Sequence, residues 1–296
     1  MWEAENIGPY ENQKLKPART AWEKWQIELE RLAKASEAEK IPDLYLSYES
    51  EFMGLPRYIL ALSMYTVAKS QNGQDDKSTA FEWYKRVIEM DTEESTISIK
   101  LLALHAVFAM RMELGETQKA LKSANTIFVL AKESPIGTTA IGHITVTLAT
   151  HGIWPLIWEN TRNAKSVSGI IMGLVLWASR VLEHESKPNA LSKFRGLLED
   201  CTQNLGPNAE TSLSAIIIGL AMVTESKSLI QDIVQEFRHI LKNHEQTLPN
   251  IVERIVFEIA AGNEEFEIES VGDPDVEASI DAIWALLDFS EVPFKD

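Results

Sequence analysis

The chain has 296 residues, 45% hydrophobic and 24% charged, ordinary globular values that exclude wholesale disorder. Its 44 acids against 28 bases leave a formal charge of −16, which repels phosphate backbones and argues against direct nucleic-acid binding. A single cysteine, Cys201, rules out an internal disulfide framework and fits a reducing compartment, so the expected location is intracellular, in the cytoplasm with the nucleus left open.

Residues 1–16 read as an irregular lead-in with Gly8-Pro9 as a breaker, and without the charged-then-apolar layout of a secretory signal. Pro17 suits the first turn of a helix. Trp22, Trp25, Leu29 and Leu32 then fall on one helical stripe, the pattern of a core face. Ile41-Pro42 breaks this helix, and a short helical segment is expected around Tyr45–Phe52, with Met53 among its apolar positions. Arg57–Gln71 is helical by the spacing of Leu60, Met64, Val67 and Ala68. Asn72-Gly73 is a turn signal, and Asp75-Asp76 beside it reads as a solvated turn. Thr79 and Glu82 stand at capping-box spacing, as do Asp91 and Glu94. A long helix carrying Ile97, Leu101, Leu104, Phe108 and Met112 follows, closed by Gly115 as a left-handed cap, and its partner runs Thr117–Lys132.

The run AFEWYKRVIEMD resembles the second helix of a tetratricopeptide-type repeat, of the Sel-like branch. In that family a small residue, an aromatic four later and a small or apolar residue three after that lock two helices together; Ala80, Tyr84 and Val87 fill those places here. Leu114-Gly115-Glu116 with Ala120 resembles the next turn and second helix. The two alanines are 40 apart, against the ~34 of the family. Ala124 stands where an aromatic is expected and Phe108 where a small residue is. The resemblance covers residues 57–132. It implies a right-handed stack of helix pairs with a concave face, and no ligand.

Ser134-Pro135 punctuates the chain. The stretch IGTTAIGHITVTLA is rich in β-branched residues, yet helix is expected, because a lone strand among helices has nothing to pair with. WPLIW follows as a short helix or apolar turn, and the polar Glu159–Ser166 as a seam between halves. SGIIMGLVLWAS, from Ser168, is apolar nearly all round, the mark of a buried helix. It returns as SAIIIGLAMV, placing Gly173 and Gly219 46 residues apart. After each comes an amphipathic helix, with Phe194 and Phe237 43 apart, in the range of helical-pair repeats. The apolar run Val167–Leu182 falls short of the ~20 residues a membrane span needs, so no span is expected, although Gly169 and Gly173 have the spacing of close helix pairs. Pro249 opens a further helix ended by Gly262. Beyond an acidic stretch, Asp273-Pro274-Asp275 starts a last helix, Val276–Phe289, with Ile280, Ile283, Trp284 and Leu287 on one face. This helix reads either as a cap over the last repeat or as an element docking into a partner groove.

A phosphate-binding glycine loop and an HExxH pair are both absent from the sequence. Cys201 lies on an apolar stripe, and His105 and His143 sit in apolar helices, so all three read as core residues.

The reading that follows is an all-α solenoid of antiparallel helix pairs, a tetratricopeptide-like superhelix. Residues 1–16 lead in, 17–160 and 161–262 form two helical halves, and 263–296 an acidic linker and capping helix. Repeat packing is assigned to Ala80, Tyr84, Val87, Gly115, Ala120, Gly173 and Gly219. The expected function is non-catalytic: a scaffold, adaptor or regulatory subunit, without metal or cofactor. It would engage a protein or peptide, preferably a basic one, through its concave face or through Ile280, Ile283, Trp284 and Leu287. Membership of a larger complex is a further reading. The alternative is an all-α enzyme acting on a hydrophobic small molecule, with Trp154, Trp158 and Trp177 lining its pocket.

Overall fold

The computed structural model describes residues 9–52, 54–161, 164–205, 209–224, 227–240, 247–262 and 274–287. Among the described residues every regular element is helical and no strand occurs. The fold is all-α, and it divides into two compact units, Met1–Ser134 and Pro135–Asp296. The polar Glu159–Ser166 stretch therefore lies inside the second unit, and the punctuating Ser134-Pro135 marks the division.

In the first unit, α1 spans Pro9–Lys34, α2 Ile41–Phe52, α3 Arg57–Gly73, α4 Lys77–Glu89, α5 Glu94–Glu113 and α6 Thr117–Leu130. The expected irregular lead-in is corrected over residues 9–16, which are helical. Pro9, not Pro17, takes the first-turn position, and Pro17 sits inside α1. A proline there removes one backbone bond, but good helix formers such as Glu, Gln, Lys and Leu precede it and the helix continues through. Residues 1–8 and Met53 lie outside the described residues.

Helix starts also differ from the expected caps. The Asp76 carboxylate accepts from the Thr79 backbone N–H at 3.1 Å, so α4 begins before Thr79. At α5 the Glu93 N–H donates to Thr96 Oγ1 at 3.1 Å. Asp91 is engaged elsewhere: Arg57 donates to it at 2.6 Å and holds its carboxyl below the ordinary value. Gly115 closes α5 with φ +72°, as expected, while the Glu116 N–H reaches back to the Arg111 carbonyl at 2.8 Å.

Neighbouring helices pack in sequence, α1 on α2, α3 on α4, α4 on α5 and α5 on α6, and α3 also touches α5. Large aromatics fill the joints. Trp25, Tyr45, Phe52 and Trp83 form an edge-to-face cluster with centroid separations of 4.9–6.1 Å. Such pairs add about 0.5–1.5 kcal/mol each beyond area burial. Ala80, Tyr84, Val87 and Ala120 are all buried, as their stripes predict.

In the second unit, α7 spans Gly137–Thr150, α8 Trp154–Glu159, α9 Ala164–His184, α10 Lys187–Asn204, α11 Ala209–Val223, α12 Lys227–Ile240, α13 Thr247–Ala261 and α14 Pro274–Leu287. The β-branched stretch 136–149 is a helix, and its partner explains why. α7 lies against α9 with the two backbones nearly touching. A β-carbon at Gly173 would sit 2.6 Å from the Gly142 carbonyl and from Thr145 Cβ. At Gly169 it would sit 2.7 Å from Ile141 Cβ and the Thr138 carbonyl, and at Gly142 it would overlap the Met172 side chain. Only glycine admits this approach. Gly219 does the same in the next layer, where a β-carbon would meet Val175 of α9 at 2.9 Å and Leu287 of α14 at 3.1 Å.

α11 touches α9, α10, α12, α13 and α14, so residues 212–221 of it are buried on every face, while Met222 at its end is exposed. That accounts for its run of fully buried Ile216, Ile217 and Ile218. α10 and α12 lie side by side and are tied by a two-pronged Arg195–Glu236 ion pair at 2.6 and 2.9 Å. α5 and the Ser166–His184 part of α9 are long and apolar enough to cross a membrane, by length and composition; both are mostly buried in the protein, as core helices are.

Candidate functional site

The second unit carries one surface where aromatic rings and charge converge. Past the end of α7, Gly152 turns the chain with a φ of +70°, and the Ile153 N–H caps the Leu148 carbonyl at 2.9 Å. Pro155 then starts the short α8. Within α8 the spacing of four brings Trp154 and Trp158 to the same face, their rings stacked at 6.1 Å and 14°. Trp177 of α9 meets Trp154 edge-on at 5.2 Å. The α8 end is pinned locally, Thr161 Oγ1 donating to the Trp158 carbonyl at 2.8 Å and Asn160 Nδ2 to the Leu156 carbonyl at 2.9 Å.

α10 forms the opposite wall. Two adjoining cavities of about 360 and 540 Å³ share Trp154 and Asp200. Gly152, Trp177, Lys193 and Gly196 line the first, and Trp158, Glu159 and Asn204 the second. Both open widely to solvent, so together they make a groove. Burial lifts the Asp200 carboxyl above its ordinary value, and the like charge of Glu199 adds to this. Lys193 is held at Glu185. Gly196 is exposed in mid-helix, and a β-carbon there would meet nothing within 4 Å.

A smaller cavity of about 280 Å³ lies between α12 and α13, walled by Ile230, Val234, Val256 and the half-exposed Phe257. It has few polar groups beyond Gln231, Gln235 and Glu253.

The structure brings together the three tryptophans singled out in the sequence. It corrects the docking face of the last helix. Ile280, Ile283 and Leu287 are buried in the chain's own fold and Trp284 is half-buried, because α14 packs on α11 and α9. That apolar face is already covered and is not free for a partner groove. Residues 263–273 and 288–296, which hold the acidic linker and the end of the expected helix, lie outside the described residues.

Cys201 is fully buried, and burial pushes its thiol well up, so it is not a thiolate at neutral pH. His105 is half-buried, whereas His143 reaches the surface, contrary to the core reading, with partial burial and then the charge of Arg180 on α9 holding its imidazole below the ordinary value. Among the described residues no cluster of three or more His, Cys, Asp or Glu is arranged to hold a metal ion.

Asp200 and Gly196 escaped the sequence reading. A signal was present for Gly196 alone: a glycine in mid-helix, off the buried stripe of Phe194, Leu197, Leu198 and Cys201, has no packing reason to be there. The chain matches no family model, and neither a curated protein nor a solved structure matches it.

Proposed function

We propose that the chain is a non-catalytic interaction module, a scaffold, adaptor or regulatory subunit that holds a protein or peptide partner inside the cell. In this reading its helices stack as antiparallel pairs in a tetratricopeptide-like solenoid. Two patterns support that. In the first unit α3, α4 and α5 touch one another pairwise; in the second α9, α11 and α13 stack in one layer while α10 and α12 stack in another. The observation that carries the functional reading is the open groove of Trp154, Trp158 and Trp177. Trp177 is buried behind the other two, and tryptophans with part of the ring accessible, as Trp154 and Trp158 have, are favoured contact anchors.

The alternative, an all-α enzyme for a hydrophobic small molecule, draws on the same tryptophans. It calls for an enclosed apolar chamber with a converging acid, base or nucleophile. The groove is open instead, and among its described lining residues there is no histidine or cysteine.

The test is a photo-crosslinking residue placed at the exposed groove position 204 in living cells, with the exposed position 129 as control. Capture of a defined protein from 204, lost on Trp154→Ala and absent from 129, is the expected result. Co-purification of a small apolar molecule, with no protein captured, would overturn the proposal in favour of the enzyme.

A further inference from the structure

Resting on that reading of the groove, we propose that its occupant is a basic segment of a partner protein, with an arginine or lysine side chain against the Trp154 and Trp158 indoles and facing the carboxylates of Asp200 and Glu159. Indole faces attract cations, and a nearby carboxylate strengthens the site. The protein displays this chemistry in its first unit. There the Arg86 guanidinium lies 4.4 Å from the Trp83 ring and donates to Glu49 at 3.3 Å. The groove repeats the indole and the carboxylates without the cation.

Three observations bear on the missing charge. Neither Asp200 nor Glu159 forms an ion pair with any described residue. Lys193, the sole base among the described lining residues, is drawn away to Glu185. Asp200 is partly desolvated beside the like charge of Glu199, a strain that an arriving cation relieves. Gly196 supplies the room. A glycine inside a helix is unfavourable by about 1 kcal/mol against alanine, and here no neighbour requires it, so what its bare Cα provides is open space in the groove wall. The net charge of −16 steers basic partners toward the chain.

The test uses the full-length chain and immobilised short peptides that are random except for a central Arg, Lys, Gln or Leu. At low salt, retention by Arg- and Lys-centred peptides should exceed the other two about tenfold. Asp200→Asn, Trp158→Ala and Gly196→Phe should each reduce that retention about tenfold, and Glu199→Gln much less. Thermal melts followed by circular dichroism confirm folding. Gly196→Phe is the safest variant, since it fills open space. Should Leu-centred peptides bind best and lose binding with Gly196→Phe, the cation is overturned while the groove stands as a contact surface. Basic peptides whose binding ignores Gly196→Phe and Trp158→Ala overturn it also, because their binding is then general electrostatics. If no peptide class responds to any groove variant and crosslinking from 204 captures no protein, both proposals fall.

Discussion

The two units solve the same problem with opposite materials. In the first, aromatic rings fill the joints between helices: Trp25, Tyr45, Phe52 and Trp83 meet edge to face in the core. In the second, glycines let α7 and α9 close until backbone meets side chain, and no ring fits between them. Its rings lie away from that seam: Phe194, Phe237 and Trp177 are buried elsewhere in the unit, and Trp154 and Trp158 sit partly buried at the margin. The difference teaches that an aromatic residue's role follows from the helix spacing around it. Where helices meet through rings, as around Trp25, the ring is filler; where glycines carry the contact, as between α7 and α9, rings are kept out of it.

The sharpest way to break this contrast is in the first unit. Trp25→Ala should empty the aromatic cluster and lower unfolding free energy by about 3–5 kcal/mol, measured by urea denaturation. A loss below 1 kcal/mol would mean the rings are not the filler. In the second unit the matching change adds a single methyl. Gly173→Ala pushes on the Gly142 carbonyl and should cost about 1–3 kcal/mol. An unchanged midpoint would show that the helices part without penalty. Gly196→Ala on the same assay should stabilise by up to about 1 kcal/mol, since it gains helix propensity in open space. The two glycine substitutions therefore differ in sign.

The smallest expected effect is electrostatic. Its hydrogen bond from Arg195 holds Glu236 below its ordinary 4.5. A carboxyl whose folded value is lowered contributes stability that is full above its ordinary value and is lost as pH falls through the lowered one. Glu236→Gln should therefore cost at most about 1 kcal/mol at neutral pH, since Arg195 is half-exposed. That cost should vanish in acid below the lowered value. A cost that persists there would locate the effect in packing.

Much of the helical order was legible from periodicity. The stripes of α1, α4, α10 and α12 place Trp25, Tyr84, Phe194 and Phe237 in the core, where they lie. Gly115 and Gly262 end their helices with positive φ as their positions suggested. Helix starts were less legible, because several residues near a terminus compete to cap it. Asp76 and Glu93 prevailed over Thr79 and Asp91, and Asp91 was diverted by Arg57 from a distant helix. The groove was half legible. Its tryptophans are conspicuous in any sequence, but Asp200 is one carboxylate among 44 acids and becomes distinct only when α10 is set opposite α8. The covered face of the last helix was not legible, because an apolar stripe does not reveal whether the surface that covers it belongs to the same chain.

The burial of Cys201 has a practical side. With the sole native sulfhydryl sealed off, a thiol engineered at any exposed position can take a maleimide dye or a nitroxide without background. Changes within either unit can then be followed by energy transfer between two such points, without first removing the natural cysteine.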